Sequence, residues 1–281
     1  MNTLQNKIDF VALATVQMAN SNGDPLDGNR PRTNYSGYGE ISDVCIKRKL
    51  RNRMQDLGEK IFVQSEDRCD DGCKSLSERA SRELKGIKDG EEFAKKACAL
   101  WTDVRSFGQV FAYKDKSSGN VSVGVRGPVS VHQAASISPV EVVSMQITKS
   151  VNGEPSEKRS SDTMGTKHMV RFGLYEIKGS INVQLAQKTG FSDEDAALIK
   201  ECLRTLFEND ASSARPEGSM EIRKLYWWQH NCPSGQYSSA RVHRSVHVTV
   251  KEGISVPAAF EDYNITLDEL PGLVPEVLDG V

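Results

Sequence analysis

The sequence contains no apolar run near the roughly 20 residues that a membrane-spanning helix requires. Its first residues, MNTLQNKIDF, have neither the cationic nor the apolar segment of a secretion signal. We therefore expect a cytoplasmic protein without a membrane partner. An excess of charge is also missing, because 36 Lys and Arg residues are balanced by 38 Asp and Glu residues. The total charge therefore does not indicate a polyanionic partner. Only the distribution of charge along the chain could indicate one.

Cysteine and histidine are too few and too scattered to indicate a metal site. Among the six cysteines, Cys69 and Cys73 form a C-x3-C pair. A structural zinc ion needs a second pair of ligands, so we expect these two to be surface thiols. His243 and His247 are four residues apart on an expected strand, where they share a face without meeting as ligands. The sequence therefore predicts neither a metal ion nor a cofactor.

Sequence motifs of common catalytic sites are absent as well, including H-E-x-x-H, G-x-S-x-G, the Walker A loop and G-x-G-x-x-G. Asp24 and Asp27 lie in the loop NGDPLDGNR and could be catalytic or metal-binding carboxylates. This loop offers fewer oxygens at regular spacing than a magnesium or calcium loop does. Because Asp and Asn in Gly-rich turns mostly set backbone geometry, the sequence favours a protein that is not an enzyme.

Apolar periodicity predicts an α+β fold. The patterns predict, in order, a strand over 8–18, a helix over 42–57 with Ser42 as N-cap, a charged inserted lobe over 64–92, a helix over 91–104, a strand over 124–138, a long hairpin or loop over 150–168, a strand from Tyr175 to Leu185, a helix over 191–207 with a Ser192–Asp195 capping box, and strands over 220–230 and 242–250. Without insertions this order is βαββαβ, the ferredoxin-like arrangement of RNA-recognition modules.

Aromatic residues do not indicate base stacking on the predicted sheet. The RNP1 motif of ordinary RNA-recognition modules is missing, although RFGLYEIK resembles it loosely. Trp227 and Trp228 are consecutive on a strand and therefore face opposite sides, so at most one of them is exposed.

Positive charge is concentrated in the predicted helix ISDVCIKRKLRNR, which carries five Lys and Arg residues in its last seven positions. At about 100° per residue, Lys47 and Arg51 flank the apolar stripe on one side and Lys49 and Arg53 on the other, while Arg48 points away. One nucleic-acid strand could not easily meet all of them. We favour Lys47, Arg48 and Arg51 as the RNA-binding set.

The loop before this helix carries two further cations. Arg30 and Arg32 bracket Pro31, which stiffens the loop and holds both guanidiniums outward for phosphate. Backbone N–H groups of the Asn- and Gly-rich segment can reach phosphate oxygens too. The alternative is an ordinary solvated charged face. Acidic residues gather instead in the last 20 positions, and opposed patches of this kind also suit docking between copies of the chain.

These residues carry a family resemblance. MANSNGDPLDGNRPR and GYGEISDVCIKRKLRNR resemble the Csd-type backbone subunit of type I-C CRISPR Cascade complexes, in the repeat-associated RAMP superfamily. GPVSVHQA, TMGTKHMVRFGLYEI and INVQLAQKTG match the same family in the same order, from about residue 8 to about residue 250. The resemblance implies a modified ferredoxin-like palm with an inserted fingers lobe and a protruding thumb hairpin. On this chain it places the palm at 1–57, 101–139 and 169–254, the fingers at 58–100 and the thumb at 140–168. The acidic C-terminal tail at 255–281 is predicted from composition and carries little of the resemblance.

The resemblance also implies a function, that of a non-catalytic scaffold in antiviral defence. Copies assemble head-to-tail along the spacer of a CRISPR RNA and present it for pairing with a target DNA strand. Further partners are the other Cascade subunits and a recruited nuclease-helicase. Because base pairing reads the sequence, the protein should hold phosphate and ribose.

Carried over by position, the RNA-binding residues are Asn20, Asn22, Arg30, Arg32, Lys47, Arg48, Arg51, Gln133, Lys149, Met164 and Lys167. Met164 would wedge into a kink of the guide between two clamping lysines, or would equally pack against a neighbouring subunit. Two rival functions remain open. Related type III subunits cleave RNA with a loop aspartate comparable to Asp24, which suggests a metal-dependent endoribonuclease. The second rival function is that of a filament-forming structural protein for which RNA is incidental.

Overall fold

A computed structural model describes residues 2–115, 119–148 and 164–281, and the statements below refer to these residues. The α-helices are α1 (Asp43–Asp56), α2 (Leu76–Glu83), α3 (Gly90–Leu100), α4 (Thr102–Phe107), α5 (Val183–Thr189), α6 (Asp193–Arg204) and α7 (Ser239–His243). The strands are β1 (Ile8–Ala19), β2 (Gly23–Asp24), β3 (Arg30–Pro31), β4 (Tyr38–Ile41), β5 (Gly108–Asp115), β6 (Gly119–Arg126), β7 (Val129–Val131), β8 (Ala134–Pro139), β9 (Val142–Thr148), β10 (Met164–Ile181), β11 (Met220–Gln229), β12 (Val246–Val250), β13 (Tyr263–Leu267) and β14 (Glu276–Asp279). Within the described residues, no helix combines the length and the apolar character needed to cross a bilayer.

An antiparallel sheet organises the molecule, in the order β14–β11–β1–β10–β8–β4, with β7 and β9 also paired to β10. β1 lies in its middle and pairs with both β10 and β11, which is why its sequence is almost continuously apolar. The even-numbered residues from Ile8 to Val16 face one core, and Val11 and Leu13 face another. The predicted alternation is therefore confirmed from Ile8 to Val16, where both faces of the strand are buried. Met18 at its end is 39% exposed with a φ of 49°, so it does not lie in this core as predicted.

The first core lies between the sheet and the helices α1, α5 and α6. Ile46, Leu50 and Met54 form the buried stripe of α1, as the helical spacing predicts. Both predicted N-caps are present: Ser42 Oγ accepts a bond from Cys45 N at 3.2 Å, and Ser192 forms a capping box with Asp195. These local signals fix where α1 and α6 begin.

A second core covers the opposite face of the sheet. Tyr226 and Trp228 of β11 pack there against residues of the C-terminal segment, among them Tyr263, Leu270 and Leu273. Trp227 lies in the first core, stacked on Phe10 with ring centroids 5.7 Å apart. The two tryptophans thus face opposite sides as predicted, and both are buried because each side of the sheet is covered.

The segment 255–281 is correspondingly part of the fold. It forms β13, which pairs with β12, and β14, which extends the central sheet beside β11. Its carboxylates also form ion pairs with the chain's own cations: Arg223–Glu261, Lys224–Asp279 and Lys200–Glu276. The acidic tail predicted from composition is therefore a structural cover whose charge is partly neutralised within the chain.

A third core belongs to the inserted lobe. Phe62, Phe93, Trp101 and Phe111 pack in it together with residues of α2 and α4. The two-stranded sheet of β5 and β6 stands apart from the central sheet and contributes Phe111 to this core. This core also includes residues of α4 and of the β5–β6 hairpin, which lie beyond the range 58–100 that the resemblance implies for the fingers.

Several local predictions are wrong, beginning with the single strand over 124–138, which is divided between β6, β7 and β8. β10 ends at Ile181, and Asn182 caps α5 by accepting a bond from Leu185 N at 2.9 Å, so the strand predicted to reach Leu185 stops earlier. The predicted strand over 242–250 begins only at Val246, because α7 ends at His243. Cys73 is buried, and its carbonyl accepts a bond from Cys69 Sγ at 3.2 Å, so it is not a surface thiol. In the described ranges no group of three or more His, Cys, Asp or Glu side chains could hold a metal ion.

Candidate nucleic-acid interface

The loop after β1 is held in one conformation by its own side chains. The Asp24 carboxylate accepts a bond from Leu26 N at 3.0 Å and lies 3.3 Å from Arg32 Nη2. Gly28 and Asn29 turn the chain back with φ of 56° and 61°, left-handed values that suit Gly and Asn. Asp24 therefore has the backbone-setting contacts that the sequence favours for it, and its turn presents Arg30 on β3.

Asn20 and Asn22 bind the loop to the rest of the chain. Asn20 is 4% exposed, and its Nδ2 donates to Asn29 O at 2.7 Å. Asn22 Oδ1 accepts a bond from the backbone N–H of Ser42, the N-cap of α1, at 2.9 Å. Asn20 therefore braces the loop from within the protein, and its contact with RNA stays a prediction. Asn22 is half-buried and stays a predicted RNA contact.

Arg30 connects this loop to the pairing of β9 with β10. Its Nη1 donates to Ser144 Oγ at 3.2 Å and contacts His168 Nδ1 at 3.3 Å. Next along β10, Lys167 Nζ donates to the carbonyl oxygen of Ser213 at 2.8 Å. We call Arg30, Ser144 and His168 the hairpin-base cluster, because their side chains contact one another where β9 and β10 leave the central sheet.

The basic residues of α1 are mostly paired with carboxylates. Lys47 pairs with Asp43 one turn earlier, and Arg51 Nε lies 3.0 Å from the fully buried Asp103. On the other flank, two ion pairs join α1 to the segment after α6: Lys49–Asp210 and Arg53–Glu208. Most of the charge in this helix is therefore used inside the protein, which accounts for so basic a helix in a chain with a net charge of -2.

Arg48 differs from its neighbours on α1. Its Nη1 donates to Asn52 Oδ1 at 3.4 Å, and it forms no ion pair within the described part of the chain. Burial and the neighbouring charge of Arg51 both lower the pKa of Arg48. An added anion would relieve this positive field, so Arg48 keeps its predicted role. The ion pair of Arg51 with the buried Asp103 carboxylate favours a structural role for this cation, and its contact with RNA stays a prediction.

The remaining predicted residues fall into two groups. Gln133 is exposed and directly precedes Ala134, which pairs with Ile41 at the entry to α1, so it lies with Asn22, Lys47 and Arg48 around the start of that helix. Met164 is 61% exposed at the start of β10 and touches the Gln146 amide, beyond the hairpin-base cluster. Lys149 lies outside the described residues. The structure thus divides the predicted set between the helix start and the hairpin base.

Three residues with a potential role escaped the sequence reasoning. Ser144 and His168 orient Arg30, and Arg215 shares the Asp210 carboxylate with Lys49. The motif TMGTKHMVRF contained the signal for His168, since it directly follows the predicted Lys167. Arg215 is placed by contacts between distant segments and carries no local signal.

Comparison with known proteins gives a family match over most of the chain. The model of the family described as CRISPR-associated protein Cas7 matches residues 6–268. A protein of Haloferax volcanii named CRISPR-associated protein Cas7 is 25% identical over 235 residues, which cover 76% of this chain and 68% of that protein. A chain of a solved "CRISPR RNA-guided surveillance complex, pre-nicking" has a TM-score of 0.48 and 16% identity, with coverage of 89% of this chain and 84% of that one. A chain of a solved "CRISPR RNA-guided surveillance complex" has a TM-score of 0.48 and 18% identity, with coverage of 89% and 78%.

Proposed function

Since the chain belongs to the Cas7 family of CRISPR-associated proteins, we propose that it is a backbone subunit of a CRISPR RNA-guided surveillance complex. In this role it binds the sugar-phosphate backbone of a CRISPR RNA and leaves the bases free to pair with target DNA in antiviral defence. The sequence motifs around the basic loop and α1 favour a type I-C Cascade complex. The protein acts in the cytoplasm.

Burial of both faces of the central sheet is the observation that carries this proposal. An ordinary RNA-recognition module stacks bases on an open sheet face. Here α1 and α6 cover one face, and the segment from Val242 to Leu273 covers the other. RNA must therefore lie along loops and helix surfaces. There Arg48 and Lys167 form no ion pair among the described residues, and Arg30 has only the exposed carboxylate of Asp27, 3.9 Å from its Nε. Such groups bind phosphates without selecting bases.

The architecture is proposed to be that of a palm with fingers and thumb. Support for a modified RNA-recognition palm comes from the neighbouring strands β11, β1, β10 and β8, all antiparallel, with α1 following β1 and α6 preceding β11. We assign the lobe built on the third core to the fingers, and the hairpin that begins with β9 and β10 to the thumb.

Assembly with further copies is proposed for the thumb. Met145, Ile147 and Met164 are exposed on the β9–β10 hairpin, where water would otherwise surround three large apolar side chains. A head-to-tail contact of this hairpin with the next copy does not close on itself and generates a helical array along the guide. Other Cascade subunits and a nuclease-helicase would bind to the completed array.

We propose no catalytic role for the chain. Asp24, the aspartate of the rival endoribonuclease hypothesis, already accepts a backbone bond and pairs with Arg32. The test is incubation of the purified chain with labelled single-stranded RNA and magnesium, beside the Asp24→Ala variant. We expect intact RNA in both samples. Cleavage that disappears in Asp24→Ala would overturn the scaffold function in favour of the nuclease.

A further inference from the structure

The guanidinium of Arg30 is oriented by neutral partners. Nη1 donates to Ser144 Oγ at 3.2 Å and to His168 Nδ1 at 3.3 Å, and Ser144 Oγ lies 2.8 Å from the same ring nitrogen. Arginine nitrogens can only donate, so Nδ1 is the acceptor in the Arg30 contact, and a neutral ring in this role has its hydrogen on Nε2. These contacts fix the plane of the guanidinium without neutralising it.

The positive charge of Arg30 therefore stays available to bind an anion. The nearest carboxylate, that of Asp27, is 3.9 Å from Arg30 Nε and largely exposed, so solvent screens the pair strongly. Arg171 on the same strand as His168 provides a contrast, because its Nε lies 2.9 Å from Glu141. Of these two surface arginines, Arg171 has a carboxylate in direct contact, whereas the carboxylate nearest to Arg30 is 3.9 Å away.

We propose that Arg30 and His168 form one phosphate-binding subsite at the base of the β9–β10 hairpin, with Ser144 as its positioning residue. This inference rests on the proposed RNA-binding function and adds two residues to it. The planar guanidinium suits two phosphate oxygens, and His168 Nε2–H supplies a further donor that has no protein acceptor among the described residues. Since Ser144 and Nδ1 hold the side chain before RNA arrives, less rotamer freedom is lost on binding.

The subsite also connects two parts of the molecule. Arg30 lies on β3, in the loop after β1, whereas Ser144 and His168 lie on β9 and β10. A phosphate bound by Arg30 and His168 together would bridge these elements, so that RNA fixes the hairpin against the basic loop.

The test is the salt dependence of RNA binding, followed by fluorescence anisotropy with a fluorescein-labelled oligouridylate. For Arg30→Met we expect affinity to fall about tenfold, since a charged hydrogen bond is lost. The slope of log affinity against log salt should shrink by about 0.7, the value of one single-strand phosphate contact. Arg30→Lys should restore the slope but not the full affinity, because lysine keeps the charge and loses the planar fork. Arg171→Met is the matched control and should leave both quantities unchanged.

The shared phosphate predicts a specific pattern for the other two residues. His168→Ala should weaken RNA binding with little change of the salt slope. In the Arg30→Met background, His168→Ala should reduce RNA affinity less than it does in the wild-type protein. Ser144→Ala keeps every charge and should lower affinity at constant slope. Additive effects of Arg30→Met and His168→Ala would overturn a common subsite, as would an unchanged slope in Arg30→Met. Wild-type protein without salt-dependent RNA binding would instead refute the proposed function itself.

Discussion

Replacing Arg51 by methionine should destabilise the fold, because a buried carboxylate then loses its countercharge. Asp103 is 0% exposed and accepts bonds from Phe62 N at 2.7 Å, from Val63 N at 3.1 Å and from Arg51 Nε at 3.0 Å. Removing one partner of a buried ion pair typically costs about 3–5 kcal/mol. The two backbone donors remain, so we expect a loss of about 3 kcal/mol in the free energy of unfolding.

This loss converts into a measurable shift of the melting temperature. Unfolding entropy is about 2.1 cal/mol/K per residue, so a chain of 281 residues has about 0.6 kcal/mol/K, and Tm should fall by about 5 °C. Arg48→Met is the matched control on the same helix, since among the described residues Arg48 bonds to Asn52 and to no carboxylate. We expect a change within about 0.5 kcal/mol for it, which is usual for surface substitutions.

Thermal unfolding followed by far-ultraviolet circular dichroism checks both values. Tryptophan fluorescence adds a probe of tertiary structure, because Trp101, Trp227 and Trp228 are all buried. The two variants should differ in the opposite way in RNA affinity. At temperatures where both are folded, Arg48→Met should bind RNA clearly more weakly than wild type, and Arg51→Met nearly as well. An Arg51→Met variant that melts like wild type but binds RNA as weakly as Arg48→Met would refute this assignment and restore Arg51 to the RNA surface.

Three further outcomes are expected. Leu273→Ala should lower the free energy of unfolding by about 3 kcal/mol, because Leu273 fills the second core. Val274 is adjacent and exposed, so Val274→Ala should change this free energy little. Equal effects of the two substitutions in chemical denaturation would contradict the covering role of the C-terminal segment. Gly39→Ala places a Cβ 2.1 Å from the hydroxyl oxygen of the buried Tyr175, so it should lower the free energy of unfolding by about 1–3 kcal/mol. Gly124 has open space around it, so Gly124→Ala should melt like wild type. Burial would raise the pKa of Asp9, but hydrogen bonds from His230, Ser239 and Lys7 outweigh it and hold this pKa below the usual value. The resulting stabilisation is fully present above the unfolded-state pKa of about 3.9 and disappears as pH falls through the folded-state pKa. The difference in unfolding free energy between wild type and Asp9→Asn, measured by urea titration, should therefore shrink below about pH 4. A constant difference down to about pH 2 would contradict this prediction.

The elements that sequence reasoning found are those whose signals are local. The strand at Ile8, the N-cap Ser42 and the capping box of Ser192 each depend on residues within a few positions, and the structure has all three. The end of β10 had a local signal as well. Alternation runs on through Val183, but Asn182 in N-cap spacing with Leu185 already marked the start of a helix.

The helix charges could not be interpreted from sequence, since their partners are distant. Arg51 meets Asp103, 52 residues away, and Lys49 meets Asp210, 161 residues away. Periodicity places these cations correctly beside the apolar stripe, yet it cannot tell whether a flank faces solvent or a carboxylate of another segment. Arg30 was identified because its loop is polar and exposed, but Ser144 and His168 join it only through the fold.

The mass of the complexes formed with RNA tests the central claim most directly. Light scattering coupled to size-exclusion chromatography would compare the chain alone with the chain on unstructured RNAs of increasing length. We predict a defined particle whose number of protein copies rises in proportion to RNA length, and no large assembly without RNA. Polymers of undefined length that form equally well without RNA would contradict a guide-binding scaffold.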